Sequence, residues 1–206
     1  KRIYDLALSC GDFSQFIVST RPDCVGEDVA DLLSQYITPE REVWVELGLQ
    51  SASDETLKRI NRGHTLSDYI TCAERLHKRG IKICTHVIIG LPGEERKDFI
   101  KTAEALNQVG SEGVKIHNLH IPGGTRMAQD YLDGEIVSWS TERYMNEVQY
   151  FLRLLNPGMI VQRLVCETPA HRLMAPRHFM DKSLFLRTLN DKMERDDTRQ
   201  GDLYEG

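Results

Sequence analysis

The chain has 206 residues, with 26 Lys and Arg, 31 Asp and Glu, and a formal net charge of −5 at pH 7. This length suits one domain with a sizeable core, and the negative charge argues against a protein that mainly coats nucleic acid. No apolar run approaches the ~20 residues that cross a bilayer, and no signal-peptide pattern opens the sequence. We therefore expect a cytoplasmic protein with no membrane partner.

Strand and helix patterns alternate along most of the chain. Because short connections join them, they predict right-handed βαβ units and a parallel sheet. Five strands are too few for an eight-stranded barrel of ~250 residues. The first residues form an apolar stripe without an N-cap, which favours a chain that begins inside a helix of a longer barrel, and the polar tail after Asp196 is expected to be mobile. The predicted strands are 16–21, 43–50, 81–89, 114–121 and 159–166, and the predicted helices are 27–36, 54–62, 67–79, 95–109, 141–155 and 182–194.

Two polar residues interrupt the apolar strand 43–50. Alternation places Glu46, Gly48 and Gln50 on one side of it. A buried carboxylate needs a partner, so Glu46 either pairs with a lysine or arginine in the barrel interior or serves a ligand. Gln50 stands at the carboxyl end of its strand, where parallel α/β folds place ligands.

The next strand ends in THVIIGLPGE. Alternation puts His86, Ile88 and Gly90 on one face, and the missing side chain of Gly90 would let a flat ligand approach the backbone. Leu91 and Pro92 would then form a rigid apolar lip. The alternative is a simple tight turn into the following helix.

Two histidines lie in the strand 114–121. His117 and His120 are three residues apart, so they should face opposite sides and cannot share a metal. His120 is the better candidate for facing the interior. The five cysteines are also scattered, without a CxxC pair, and we expect reduced thiols and no metal site within this chain. They are Cys10, Cys24, Cys72, Cys84 and Cys166.

Four segments in order, ELGLQS, NRGHT, HVIIGLPGE and HNLHIPGGT, resemble the radical S-adenosylmethionine (SAM) superfamily. The resemblance is to the branch with the Elongator catalytic subunit and oxygen-independent coproporphyrinogen oxidase, and most of all to the YhcC-type proteins. It implies an α/β fold. Residues 1–125 would form an incomplete parallel (β/α)6, TIM-like barrel that begins at about the third strand. Residues 126–206 would form a C-terminal α/β extension with helices, one strand and the tail.

The resemblance also implies a function. In that superfamily a [4Fe–4S] cluster on a CxxxCxxC loop cleaves SAM to methionine and a 5′-deoxyadenosyl radical, which abstracts hydrogen from a substrate. This sequence contains no CxxxCxxC. We therefore expect the cluster only in a full-length protein, no catalytic or metal-binding residue in this chain, and no activity of the chain alone.

The SAM site is predicted from the same likeness. Gln50 corresponds to the residue near the ribose and methionyl part, and Arg62 to the arginine that meets the SAM carboxylate, a pairing that suits a guanidinium. His86 stands where related enzymes often carry an acid for the ribose hydroxyls. The apolar shelf Ile89, Gly90, Leu91 and Pro92 would receive adenine, and Glu46 and His120 complete the predicted set.

The likeness to Elongator implies a transfer-RNA substrate and an electron-donor protein as partners. Six Lys and Arg between residues 158 and 192 are compatible with RNA contact, but such a stretch is more often a solvated face. We also expect the isolated chain to self-associate. Two alternatives remain open: an ordinary α/β-barrel enzyme that holds a phosphorylated ligand at the GLPGE helix start, which Glu94 and Glu95 oppose, and a non-enzymatic interaction module.

Overall fold

The structure is a computed structural model that describes residues 1–206. Its centre is a five-stranded sheet in the order β1-β2-β3-β4-β6, and every neighbouring pair is parallel. The predicted five-stranded parallel sheet is therefore confirmed. These strands are β1 (Gln15–Thr20), β2 (Glu42–Gln50), β3 (Lys82–Ile89), β4 (Gly113–Asn118) and β6 (Ile160–Arg163).

Helices connect consecutive strands of this sheet, and a short 3₁₀ turn (Pro22–Cys24) follows β1. Local sequence explains their starts. Ser53 caps α3 by accepting a hydrogen bond from the Thr56 amide at 3.4 Å, and Thr65 forms a capping box with Asp68 at the start of α4. The helices are α1 (Arg2–Leu8), α2 (Glu27–Ser34), α3 (Asp54–Arg59), α4 (Leu66–His77), α5 (Arg96–Val109), α6 (Arg126–Leu132), α7 (Thr141–Leu154) and α8 (Lys182–Arg195).

The two faces of the sheet differ in polarity. Residues such as Val45, Ile83 and Ile116 point to one face and join the helices in a single core of 31 buried residues. On the other face, the register of the strands pairs Ser19 with Glu46 and His86 with Lys115. We call this second side the polar face, and its members are Ser19, Glu46, His86, Lys115, His117 and Arg163. One face thus holds the fold together, and the other offers polar groups.

Several elements differ from the prediction in the C-terminal third. The strand predicted to run to residue 121 ends at Asn118, and Ile121–Pro122 forms β5, which pairs antiparallel with β7 (Leu173–Ala175). Helix α6 was not predicted, although Thr125 caps it through the Ala128 amide at 3.1 Å. The fifth strand of the main sheet, β6, comes from residues beyond 125.

The polar tail after Asp196 is not mobile as predicted. Gln200 Nε2 donates to the carbonyls of Asn156 and Met159 at 2.9 and 2.8 Å. Leu203 N donates to the Arg153 carbonyl at 2.8 Å, so the tail packs along the end of α7. Polar composition predicted a mobile segment because it carries no sign of these long-range partners.

None of the helices has the length and apolar character needed to cross a membrane.

Candidate functional site at the strand ends

The backbone changes direction sharply where β2 ends. The register with β3 slips between Gly48 and Gln50, so Leu49 forms a bulge, and Gln50 has a φ of 74°. A positive φ is uncommon outside glycine and stores strain that usually accompanies a functional position. The Gln50 side chain still reaches the polar face, because its Nε2 atom lies 2.9 Å from the position that a Cβ atom on Gly48 would occupy.

Arg62 lies beside Gln50. Helix α3 ends at Arg59, earlier than predicted, and the positive φ values of Asn61 (54°) and Gly63 (79°) carry Arg62 back toward the sheet in a loop. Its Nη2 fills the space left by the absent side chain of Gly48 and donates to the Gly48 carbonyl at 3.1 Å. Gln50 and Arg62 are thus brought together as predicted, through Gly48.

The Arg62 guanidinium has no acidic partner. Its Nε is buried without a hydrogen-bond partner, and the residue forms no salt bridge. Burial and the neighbouring charge of Arg21 lower the pKa of Arg62, and Arg21 itself is paired with Asp23 at 2.7 Å. A half-buried guanidinium without a counter-ion is a group that an anionic ligand would satisfy.

His64 packs next to this arginine. The residue is 5% exposed, and neither ring nitrogen has a hydrogen-bond partner. Burial and the charge of Arg62 lower the pKa of His64, so the ring is neutral near pH 7. The sequence motif NRGHT thus supplies a cation for the site and a neutral, buried ring behind it.

The loop after β3 is tied to the segment that carries Arg62. The carbonyl of Pro92 accepts from Arg59 Nη1 at 2.8 Å, and the Glu94 carboxyl lies 2.5 Å from Ser51 Oγ. Burial raises the pKa of Glu94 to about 7, while hydrogen bonds from Ser51 and Thr56 oppose the rise. The strand-end loops of β2 and β3 therefore form one connected unit.

A cavity of about 320 Å³ is lined by Gly90, Leu91 and Pro92, but Trp139 occupies part of the space that the sequence suggested for a flat ligand. A side chain on Gly90 would meet the indole of Trp139 at 3.4 Å, so a ring from the chain itself packs against this glycine. The φ of 101° at Gly90 is a second reason for glycine. Ile89 and Leu91 are each 2% exposed. The shelf Ile89–Pro92 keeps its backbone edge, but its apolar side chains point largely into the protein.

Glu46 has partners inside the chain. Lys115 Nζ forms an ion pair with its Oε1, and Ser19 Oγ donates to its Oε2 at 2.8 Å. His86 Nε2 lies 3.2 Å from the same Oε2, without the geometry of a hydrogen bond. Burial would raise the pKa of Glu46, but Lys115 and Ser19 lower it below its ordinary value. The alternative of an interior ion pair is thus the one observed.

The expected orientation of the two histidines is wrong. His117 shares the polar face with His86, at 5.3 Å between ring centroids. His120 lies beyond the end of β4, between Asn118 and Thr168, and lines a cavity of about 220 Å³ next to Cys166. The predicted strand ran to residue 121, and alternation along it placed His120 on the interior face. The prediction failed because β4 ends three residues earlier, so His120 is not in the strand.

Sequence reasoning missed Lys115 on the polar face and Trp139 beside Gly90, and it placed His117 on the wrong face. Lys115 and His117 interrupt the apolar run of β4 just as Glu46 interrupts β2, and this shared anomaly was a usable signal. Trp139 carried no such signal, because its contact with Gly90 joins residues far apart in the chain.

The residues present do not fit an iron–sulfur cluster. All five cysteines are free, and no group of three His, Cys, Asp or Glu side chains is arranged to hold a metal ion. A cluster needs three or four cysteine thiolates around one position. No step of the chemistry is therefore assigned to such a group within these 206 residues.

Two family descriptions match consecutive parts of the chain. Residues 11–106 match the radical SAM superfamily, and residues 111–195 match the radical SAM C-terminal domain. The chain belongs to the radical SAM superfamily. The first match contains the Gly48, Gln50 and Arg62 cluster, and the second contains β4 and β6 of the polar face.

The chain is similar to several longer radical SAM relatives. It is 35% identical to the protein MJ0486 of Methanocaldococcus jannaschii over 98% of the chain and 63% of that protein. It is 38% identical to YhcC of Escherichia coli over 85% of the chain and 57% of YhcC. It is also 27% identical, over 74% of the chain and 28% of the relative, to the tRNA uridine(34) acetyltransferase of Methanocaldococcus infernus. The chain thus spans about six-tenths of the first two relatives.

A solved structure supports the fold. The Elp3 protein of Methanocaldococcus infernus, with an N-terminal deletion, superposes with a TM-score of 0.75 at 23% identity, over 89% of this chain and 42% of that chain. The likeness shows that the sheet and its helices have the radical SAM barrel arrangement. The incomplete, TIM-like α/β barrel expected from the sequence is confirmed.

The strand-end residues fit the charges of SAM. The unpaired guanidinium of Arg62 suits an α-carboxylate, and the Gln50 amide offers a donor and an acceptor beside it. The start of α5, by contrast, does not fit a phosphate. Glu95 and Asp98 form a capping box there, and Glu94 is buried next to it, so carboxylates already occupy the anion position.

Proposed function

We propose that this chain is the SAM-binding part of a radical SAM enzyme, with the cofactor at the carboxyl ends of β2 and β3. The observation that carries the proposal is the half-buried Arg62 guanidinium, which has no acidic partner although the chain contains 31 acidic residues. Membership of the superfamily makes SAM the ligand of choice for it.

Each group of the site has a task in this proposal. Arg62 pairs with the SAM carboxylate, Gln50 hydrogen-bonds the methionyl and ribose part, and the backbone edge of Gly90–Pro92 contacts adenine. His86, neutral because burial lowers its pKa, is placed to hydrogen-bond a ribose hydroxyl. Glu46 and His120 are satisfied by partners within the chain, so they act on the site through Lys115 and Asn118 rather than by touching SAM.

The chain's own residues bind and orient the cofactor. When SAM lies beside a reduced [4Fe–4S] cluster in this superfamily, it supplies a 5′-deoxyadenosyl radical. Since these 206 residues do not hold a cluster, we propose that other residues of the full-length protein do, and that an electron-donor protein reduces it. The barrel residues exclude water and fix the position of SAM.

We propose transfer RNA as the substrate. Several relatives carry names of tRNA-modifying enzymes, among them the tRNA uridine(34) acetyltransferase. The C-terminal part adds exposed cations without salt bridges, which are available for phosphates. These residues are Arg163, Arg172, Arg177, Lys182 and Arg187.

The proposal is tested by comparing this chain with a full-length protein that contains it. After anaerobic reconstitution with iron and sulfide, the full-length protein should gain [4Fe–4S] absorbance and release 5′-deoxyadenosine from SAM when dithionite is added. The 206-residue chain should do neither. A full-length protein that assembles a cluster but never cleaves SAM contradicts the proposed function, and a chain that cleaves SAM alone contradicts the division of roles.

A further inference from the structure

The positive charge on the polar face is not balanced. Lys115 is committed to Glu46 in an ion pair. Arg163 lies directly beside Lys115 in the register of β4 and β6, is exposed, and forms no salt bridge. Arginines elsewhere in the chain, for example Arg75 and Arg79 on Glu27, do have carboxylate partners. The β6 side of the polar face therefore carries a cation without a counter-ion.

The neighbouring histidines add hydrogen-bonding capacity without charge. His117 lies on the same face, two residues along β4 from Lys115, and its Nε2 is buried without a partner. Burial, together with the positive charges of Arg163 and Lys115, lowers the pKa of His117 to about 4. Burial is the largest cause of this shift, and the two nearby cations add to it, so the neutral ring lies in surroundings that favour an anion over a cation.

We propose that the polar face binds an oxyanion of the substrate, a phosphate or a carboxylate group, between Arg163 and His117. This inference rests on the proposed function and adds to it that the polar face is turned toward the substrate. The guanidinium offers a planar pair of donors that matches an oxyanion, and the neutral imidazole offers one N–H group. A metal ion would be repelled by Arg163 and Lys115.

The ligand chemistry follows from the residues. The other cation on this face, Lys115, is neutralised by Glu46, so the site suits a single oxyanion group of the substrate. Arg62 stands at the end of β2, three strands away from β6. The subsite is therefore separate from the position proposed for the SAM carboxylate.

The direct test is the titration of His117 by NMR in inorganic phosphate, with sodium acetate as the carboxylate probe and sodium chloride at equal ionic strength as the reference. The His117 signal is identified by its loss in His117→Gln. Phosphate or acetate should raise the pKa of His117 by about one unit, since an opposite charge nearby favours the imidazolium. The probe with the larger shift identifies the oxyanion class.

Two variants decide whether Arg163 holds the anion. Arg163→Gln should abolish the phosphate-dependent shift, whereas Lys101→Gln, which removes an exposed cation on α5, should leave it intact. Arg163→Lys should retain part of it. Equal responses in Arg163→Gln and the unsubstituted chain would overturn the proposal, as would a shift no larger in phosphate and acetate than in chloride.

If the chain self-associates in the NMR samples, a second measurement can be made at micromolar concentration. Diethyl pyrocarbonate modification of His117, followed by mass spectrometry, should slow severalfold in phosphate for the unsubstituted chain and not for Arg163→Gln. Binding of SAM is measured by calorimetry on the same sample. A phosphate response without SAM binding contradicts the proposed function and not the subsite, and SAM binding without a phosphate response contradicts the subsite alone.

Discussion

The Arg62 guanidinium occupies the side-chain space of Gly48, where its Nη2 donates to the Gly48 carbonyl at 3.1 Å. A residue without a Cβ is therefore required in β2 for a cation to reach the strand end. This relationship links a glycine inside a buried strand to the charge of the proposed cofactor site.

Gly48→Ala tests that link. The new methyl group would collide with Arg62 Nη2 and Gln50 Nε2. Both atoms end flexible side chains that can move aside, so we expect little loss of stability, but SAM affinity should fall at least tenfold because Arg62 is displaced. Gly123→Ala is the matched control, because its nearest neighbour is 3.8 Å away. Isothermal calorimetry and urea unfolding measure both effects. An alanine that binds SAM normally would show that Arg62 does not need this space.

Strand alternation and helix periodicity are local properties, so the sequence predicted the sheet, and the family resemblance implied that Gln50 and Arg62 share a site. The sequence did not predict the bulge at Leu49 or the positive φ of Gln50, since both depend on how β2 fits β3. The contact between Gly90 and Trp139 was also hidden, because nothing local to GLPG shows which distant side chain packs on it. The placement of His117 failed for a related reason: strand ends are set by tertiary pairing.

Glu94 makes stability depend on pH. Its folded pKa of about 7 lies above the ordinary value of 4.5, so its favourable contribution is complete below about pH 4.5 and is lost as the pH rises through 7. This difference corresponds to about 3 kcal/mol at 1.36 kcal/mol per pKa unit.

Glu94→Gln, which imitates the protonated acid, should match the unsubstituted chain at pH 5. At pH 8 it should be more stable, by up to about 3 kcal/mol. Urea unfolding at the two pH values measures the difference, and Glu104→Gln, on the exposed side of α5, serves as the control. A gap between the two proteins that stays constant with pH would show that Glu94 does not titrate in this range.

Replacing only one partner of the Glu46–Lys115 ion pair should lower the stability of the fold. Lys115→Met leaves a shielded carboxylate without its cation, and we expect a loss of about 3 kcal/mol. The double variant Glu46→Gln with Lys115→Met should recover most of it. Because the folded pKa of Glu46 is lowered, the stabilisation it gives should also disappear as the pH falls below about 4.5. Thermal unfolding of the three variants measures this, and a double variant as unstable as Lys115→Met would argue against the pair.

The isolated chain should self-associate along β1. This strand is an edge of the parallel sheet, and Ile17 on it is 47% exposed; Ile3 and Leu6 of α1 are also exposed apolar residues. Open edges with apolar surface pair with other chains. Light scattering at tens of micromolar, on the order at which such association appears, should show species larger than a monomer. Ile17→Lys should reduce them and Val137→Lys, at an exposed position elsewhere, should not.

The central claim, that Arg62 holds the carboxylate of SAM, is tested most directly by calorimetric titration of SAM into the chain and two variants. The unsubstituted chain should bind one SAM, and Lys58→Gln, which removes an exposed cation of α3, should bind equally well. Arg62→Gln should lose more than ~1.5 kcal/mol of binding free energy, because a charged hydrogen-bond partner is removed from a shielded site. Unchanged affinity in Arg62→Gln, or no binding of SAM to the unsubstituted chain, would contradict the account.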